Sequence, residues 1–378
     1  MKIGIYGRVL LKPGSGIVRY SFELTESLLK YAPDNEYTIY FRKGAVPKLK
    51  FKGKYKVREV GLPYFLWRTP LFTRILDRDG IDVYHSTAYT LPLVPRAMRK
   101  VAMVSTFHGL HSEYFWHSIK ENVYSVLNYR TAALFADRII SVSDKLRHEI
   151  HEKYGKPLSR IDVTYFGLNK DLKPLSGRKR SEVLGHLREK YGIRGSHYIL
   201  YVGGGMAKNK NFPTIIKALG ILKRKYGFSL PLIVTRVEMD PVKNLMEEEG
   251  LRDGEDIIGL RWIEGGDLKY LYACALLSVY PSTYEGVGFP IVEAMACGTP
   301  VITSNVSAMP EASGGAGLLV NDPMNPEEWA NRILALSRNE KLRSRLIRMG
   351  LKRARRFTWK RVVADTIDSY RKALKGQV

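Results

Sequence analysis

The sequence predicts an α/β protein of two domains, each a parallel sheet with helices on both faces. Three observations predict it. The chain has 378 residues, more than one hydrophobic core usually organises. Short β-rich apolar runs alternate with helical patterns, which favours parallel strands joined by crossover helices. The alternation stops in a polar, basic stretch between residues 170 and 196 and then begins again.

In the first half, strands are expected at 2–6, 37–42, 55–60, 82–85, 101–107, 138–142 and 161–165, with helices over 18–31, 66–76 and 144–154. The stretch around Pro174-Leu175-Ser176-Gly177-Arg178-Lys179-Arg180 reads as the boundary. A first domain of 1–172, a linker of 173–195 and a second domain of 196–357 follow from it. The second domain opens with a strand at 198–202 running into a glycine loop, then a helix over 211–226. Further strands are expected at 230–234, 276–280, 300–303 and 317–320, and helices near 239–249, 290–297 and 326–337. The tail is helical in composition, with Phe357-Thr358-Trp359 as a break and Thr358 as a cap. Its last helix, 358–378, is expected to pack on the first domain.

With 45% hydrophobic and 26% charged residues, the chain has the composition of a folded protein, without disorder or low-complexity bias. The longest apolar run, 271–279, is too short for a membrane-spanning helix, which needs about 18 residues. The start reads as a buried strand rather than a secretion signal. Cys274 and Cys297 lie in apolar segments and read as small buried side chains, not as a disulfide framework or zinc ligands. A cytoplasmic location is therefore expected.

The formal charge of +24 favours anionic partners. Residues 42–58 carry eight Lys/Arg and no acid, and 341–361 carry ten and no acid. Such runs are commonly solvated faces. The first one, however, leads into Tyr64-Phe65-Leu66-Trp67-Arg68, an aromatic and basic mixture suited to lipid headgroups, so peripheral contact with an anionic membrane surface is expected.

The most informative stretch is Pro281-Ser282-Thr283-Tyr284-Glu285-Gly286-Val287-Gly288-Phe289-Pro290-Ile291-Val292-Glu293-Ala294-Met295-Ala296-Cys297-Gly298-Thr299-Pro300. It follows a strand, passes two glycines and places Pro290 at a helix start. The first turn of that helix, with its positive dipole end, suits a phosphate or diphosphate, and Gly286 and Gly288 permit close backbone approach. Glu293, expected in the first turn, suits ribose hydroxyls better than phosphate, while Glu285 precedes the loop and faces the sugar side. The plainer alternative, that both are surface acids, is equally compatible with these residues.

This stretch resembles the signature of retaining family-four glycosyltransferases, in the pattern Pro-Ser-x-Tyr-Glu-Gly-x-Gly-Phe-Pro-x-x-Glu-Ala-Met-Ala-x-Gly-x-Pro. The resemblance extends through Ala136-Asp137-Arg138-Ile139-Ile140-Ser141-Val142-Ser143, Tyr201-Val202-Gly203, Lys210-Asn211, Val301-Ile302-Thr303 and Pro310-Glu311, and so over nearly the whole chain. It implies the GT-B fold, with two Rossmann-like domains facing each other across a cleft that holds a nucleoside-diphosphate sugar. It implies Lys210 at the donor diphosphate, with Lys208 as a neighbour able to substitute. Donor contacts are implied for Gly14, Gly16, Gly286, Val287, Gly288, Phe289 and Glu293, and sugar-side roles at the reaction centre for His108 and Glu285. Gly204 stands where many members carry Arg, a cation for which Lys208 or Arg236 is the expected compensation.

Without the resemblance, the glycines of 14–16 are a weak signal, either lysine is a solvated loop charge, and His108 at a strand end is more often structural than reactive. His85 is a weaker candidate than His108, and His111 and His117 read as local or acceptor-side residues. No cofactor and no metal are implied: Asp77-Arg78-Asp79 reads as a solvated helix end, and zinc spacing is absent. The expected reaction is transfer of a hexose, mannose or glucose by preference, to a glycan or lipid-linked acceptor with retention of configuration. Acceptor choice is expected in loops at 61–76 and 109–130. Sugar-nucleotide epimerisation or phosphorolysis are the rival chemistries on this fold. Nucleic-acid binding is the rival of another class, and no nucleic acid is expected because no recognised motif accompanies the charge.

Overall fold

The structure, a computed structural model, describes residues 1–11, 16–115, 119–203, 207–264 and 266–376. The chain divides into two compact units. The first comprises Met1–Gly167 with Phe357–Val378, and the second Leu168–Arg356.

The first unit is built on a seven-stranded sheet, β1 (Lys2–Tyr6), β2 (Glu36–Arg42), β3 (Lys56–Val60), β4 (Val83–Ser86), β5 (Ala102–Phe107), β6 (Arg138–Ser141) and β7 (Ile161–Val163). The spatial order is β3-β2-β1-β4-β5-β6-β7, and every pairing is parallel. All residues of β4 and β5 are buried, as parallel strands covered on both faces require. The helices are α1 (Gly16–Tyr31), α2 (Pro70–Arg78), α3 (His111–Tyr114), α4 (Ile119–Phe135) and α5 (Asp144–Tyr154). The helix expected over 66–76 is two pieces, a 3-10 turn Tyr64–Arg68 and α2, because Thr69 precedes Pro70 and is held extended. The loops expected at 61–76 and 109–130 are thus largely helical.

The second unit has the six-stranded order β10-β9-β8-β11-β12-β13, again all parallel. These strands are β8 (Ile199–Val202), β9 (Leu232–Thr235), β10 (Ile257–Leu260), β11 (Leu277–Tyr280), β12 (Val301–Ser304) and β13 (Leu318–Val320). Its helices are α6 (Gly177–Tyr191), α7 (Phe212–Tyr226), α8 (Lys243–Glu248), α9 (Leu268–Cys274), α10 (Phe289–Ala296), α11 (Met309–Ser313), α12 (Pro326–Arg338) and α13 (Glu340–Ala354). Residues 177–191, inside the stretch read as a linker, form α6. It is fastened to the second unit through Arg180 to the Cys274 carbonyl at 2.9 Å and Tyr191 Oη to Asp267 at 2.8 Å. Only Leu184 and Leu187 of α6 are buried, which is why its composition looks like a linker.

The last helix, α14 (Trp359–Lys375), is capped by the Thr358 hydroxyl, which accepts from Arg361 N. It lies in the first unit. Tyr370 Oη is 2.7 Å from His85 Nδ1, and the other ring nitrogen of His85 is 2.8 Å from Thr106 Oγ1. His85 therefore sits in the middle of β4, fully buried, and ties α14 to the sheet.

Candidate functional site

In each sheet the strand order reverses once, between β1 and β4 in the first unit and between β8 and β11 in the second. Open parallel α/β sheets bind ligands outside the carboxyl ends of the strands at such a reversal. In the second unit, the segments leaving β8 and β11 there are 203–210 and 281–288.

These two segments are laced together. The Asn209 carbonyl accepts from Thr283 N at 2.8 Å, and Asn209 Nδ2 donates to the Tyr284 carbonyl at 3.1 Å. Lys210 Nζ lies 2.6 Å from Glu285 Oε1 and 3.0 Å from Tyr280 Oη. The same carboxylate oxygen receives Asn209 Nδ2 at 3.2 Å and has Ser282 Oγ at 2.8 Å. Tyr201 Oη donates to the Lys210 carbonyl at 2.9 Å, which fixes the lysine's backbone. The pair is largely enclosed, the Lys210 and Glu285 side chains being 19% and 12% exposed. Neither is a solvated surface charge. Burial, and next the Glu285 carboxylate, hold the Tyr280 phenol well above its ordinary pKa, so it stays neutral beside the ammonium. Lys208, by contrast, is exposed.

Past Glu285, the chain enters α10 through Gly288, which has φ +74° and forms the N-cap. A Cβ there would meet Ile291 Cδ1 at 3.1 Å, so both conformation and space call for glycine. Gly286 and Val287 are buried, Phe289 is half-buried, and Pro290 is the second helical residue. The positive end of the α10 dipole is directed toward the end of the sheet carrying Lys210. Glu293 is the fifth residue of α10 rather than part of its first turn, and it is 4% exposed. Tyr272 Oη donates to its Oε2 at 3.1 Å. It too is not a surface acid. Burial and the neighbouring Glu293 push the Cys297 thiol up to about 12, and Cys274 is also a free, buried thiol.

In the first unit, His108 directly follows β5. Its Nε2 lies 2.8 Å from the Thr87 carbonyl, which can only accept, so Nε2 carries the proton and Nδ1 is the acceptor nitrogen. Its backbone N–H donates to Tyr89 Oη at 2.9 Å, and its ring meets Tyr20 edge-on at 4.7 Å. Burial pushes its pKa down to about 4. A neutral imidazole of this kind accepts a hydrogen bond from a hydroxyl at neutral pH and is a weak proton acceptor in chemistry. Gly16 opens α1. Gly14 and Gly204 lie outside the described residues, as does His117. Arg236 follows β9, is exposed, and has φ +55°; His111 opens α3.

Asp77 and Asp79 stand at the end of α2 but are engaged rather than solvated. Asp77 accepts from Val101 N at 3.1 Å, and Asp79 from Tyr40 Oη at 3.0 Å and Arg58 Nε at 3.3 Å. Among the described residues, no group of three or more His, Cys, Asp or Glu is placed to hold a metal ion. No described helix is long and apolar enough to cross a membrane.

The family model for Glycosyl transferases group 1 matches residues 185–353, and that for Glycosyltransferase Family 4 matches residues 14–172. The O-antigen chain mannosyltransferase B of Escherichia coli is 33% identical over 395 aligned positions, covering 98% of this chain and 100% of that protein. The chain belongs to the group 1, family-four glycosyltransferases. An O-antigen chain mannosyltransferase of Salmonella typhimurium is 25% identical over 85% of this chain and 87% of its own. Among solved structures, the crystal structure of HepE from Anabaena in complex with UDP-glucose matches with a TM-score of 0.69 at 19% identity, over 98% of this chain and 100% of that one. The fold of this glycosyltransferase is thus GT-B, its two parallel-sheet α/β units corresponding to the two GT-B domains.

The alternation of strands and helices and the Glu285–Glu293 signature were legible without coordinates. The positions of Tyr280, Ser282, Asn209 and Tyr272 around the two glutamates were not. Only the Pro-Ser-x-Tyr-Glu spacing hinted at Ser282.

Proposed function

We propose that this glycosyltransferase transfers a hexose, mannose by preference, from a nucleoside-diphosphate sugar to a glycan or lipid-linked acceptor, with retention of anomeric configuration and without a metal ion. The observation that carries the reading is the Lys210–Glu285 pair at the carboxyl edge of β8 and β11, beside the N-terminus of α10. An ammonium group there, with the helix dipole, opposes the negative charge that the departing diphosphate gains in the transition state.

The residues divide the work. Gly286, Val287, Gly288 and Phe289 supply close backbone approach to the diphosphate. Glu293 takes the ribose hydroxyls, and Tyr272 orients its carboxylate. Glu285 and His108 hold hydroxyls of the transferred sugar. The C1–O bond to the diphosphate breaks and a C1–O bond to the acceptor oxygen forms on the same face. The acceptor proton passes to a leaving phosphate oxygen. The preference for mannose follows the two O-antigen chain mannosyltransferases, and a nucleotide-sugar donor is supported by the UDP-glucose complex of the similar fold.

The test follows the anomeric proton by NMR while the protein is supplied with α-linked GDP-mannose, UDP-glucose or ADP-glucose and a lipid-linked glycan acceptor, with and without chelator. An α-linked product from one donor at an unchanged rate in chelator is the expected result. A β-linked product, or a rate abolished by chelator and restored by a divalent cation, contradicts the corresponding part of the reading.

A further inference from the structure

Among the described residues, four that are not glycine have a positive φ: Tyr89, Asn211, Arg236 and Ser307. An L-residue keeps that conformation only where its surroundings hold it there, and such residues gather at functional sites. Three of the four adjoin a residue given a role above. Asn211 follows Lys210 in the chain, Tyr89 Oη accepts from His108 N, and Ser307 Oγ meets the backbone of Glu285. Ser307, at φ +53°, grips its neighbour at two points.

Ser307 lies three residues beyond β12, the strand that pairs with β11. Its hydroxyl donates to the Glu285 carbonyl at 2.8 Å and accepts from the Glu285 N–H at 3.2 Å. One hydroxyl thus closes on both backbone groups of a single residue, with its one proton and one of its lone pairs. Three residues earlier in each segment, the Ser304 hydroxyl donates to the Ser282 carbonyl. The segment leaving β11 is therefore seated on the segment leaving β12 at two places, and the second of them is Glu285.

The Glu285 carboxylate has a separate set of partners, for Lys210 Nζ, Asn209 Nδ2 and Ser282 Oγ all meet Oε1. On the proposed function these contacts change as substrate arrives: a diphosphate draws the Lys210 ammonium toward itself, and a sugar hydroxyl takes a place on the carboxylate. The bonds from Ser307 reach the backbone and depend on neither event. Past Glu285 the chain runs through Gly286 and Gly288, which offer no side chain to anchor it. A displacement of about 1 Å in a group that holds substrate can cost about a hundred-fold in rate, so a fixed backbone at Glu285 has a direct effect on the chemical step.

We propose that Ser307 is a positioning residue for the sugar-side carboxylate: its hydroxyl holds the Glu285 backbone in place while the side-chain partners of Glu285 exchange for substrate. The inference rests on the proposed function, which sets Glu285 against the transferred sugar. Transfer then needs the Ser307 hydroxyl, whereas binding of the nucleotide without its sugar does not.

The test compares Ser307→Ala with Ser307→Gly in the full chain. Both lack the hydroxyl, but glycine takes a positive φ without strain and alanine does not, so Ser307→Gly should melt above Ser307→Ala. Steady-state transfer from GDP-mannose, UDP-glucose or ADP-glucose to a lipid-linked glycan, with the donor saturating, should show kcat lowered about ten-fold or more in both variants, the two agreeing within about three-fold. Calorimetry of UDP, GDP and ADP should give both variants a Kd within about three-fold of wild type for the nucleotide that wild type binds. A wild-type kcat in either variant overturns the inference and leaves the proposed function standing. So does a kcat that recovers in Ser307→Gly together with its melting temperature, or a loss of nucleotide affinity as large as the loss of kcat. Absence of transfer by wild type from every donor overturns the proposed function, and the inference with it.

Discussion

At the level of single residues, Lys210 and Glu285 are held in a geometry that two loops must agree upon. Replacing Lys210 by Ala removes the cation that pairs with Glu285. The expected loss in kcat is about a hundred-fold or more, measured by steady-state kinetics with the donor saturating. Two histidines make stability depend on pH. His85 and His108 are buried neutral, with pKa values pushed down by burial to about 3 and about 4 from an ordinary 6.5. Between those values the unfolded chain binds more protons than the folded one, so stability falls as pH drops from 6.5 toward 4 and is fully present above 6.5. Melting temperature measured across that range should fall on acidification, and His85→Gln should flatten the slope. A flat profile in wild type would contradict the burial of both rings. Of this residue-scale picture, the acids and the lysine were visible in the Glu285–Glu293 stretch and Lys210-Asn211. Their pairing was not, because 75 positions separate Lys210 from Glu285 and only sheet topology brings them together.

Secondary-structure elements were read most securely where period and length agreed. Strands β1 to β9 and β11 to β13 fall within two residues of their expected starts and ends. β10 was missed because Ile257-Ile258-Gly259-Leu260 contains a glycine and is flanked by the polar residues 252–256 and Arg261. α4 was missed for a different physical reason: apolar residues on both its faces erase the amphipathic period. α14 shows how an element's ends are fixed. Thr358→Ala removes its cap at an expected cost of about 1 kcal/mol, and Gly167→Ala places a Cβ against the Trp359 ring at close contact. Thermal unfolding should rank Gly167→Ala as the more damaging, since the cap can be replaced by water and the overlap cannot. Gly288→Ala forces a left-handed backbone on an L-residue at a cost of about 1–2 kcal/mol, and should weaken donor binding as well as stability.

For the whole molecule, the chain completes its second unit and then returns to the first. That return is written in chemistry as well as topology: Lys372 pairs with Asp162 at 3.1 Å, and Tyr370 meets His85. Ending the chain after Arg356 would expose the apolar faces of β4, β5 and β6 that α14 covers. The truncated protein is expected to be insoluble or to lose cooperative melting in calorimetry. The domain plan was legible from the interruption of the strand–helix alternation. The position of the break was less so, because α6 turns few apolar side chains inward and reads as polar linker.

On the proposed function, the carboxyl edge of β8 and β11 binds a nucleoside diphosphate sugar. The most direct test is isothermal titration calorimetry of UDP, GDP and ADP and their sugar conjugates into wild type, Lys210→Ala and Glu293→Gln, with circular dichroism showing each variant folded. One nucleotide should bind wild type, with affinity reduced about ten-fold or more in both variants, since each removes a charged hydrogen-bond partner. Binding of equal strength in all three proteins, or no binding of any nucleotide to wild type, would contradict the account.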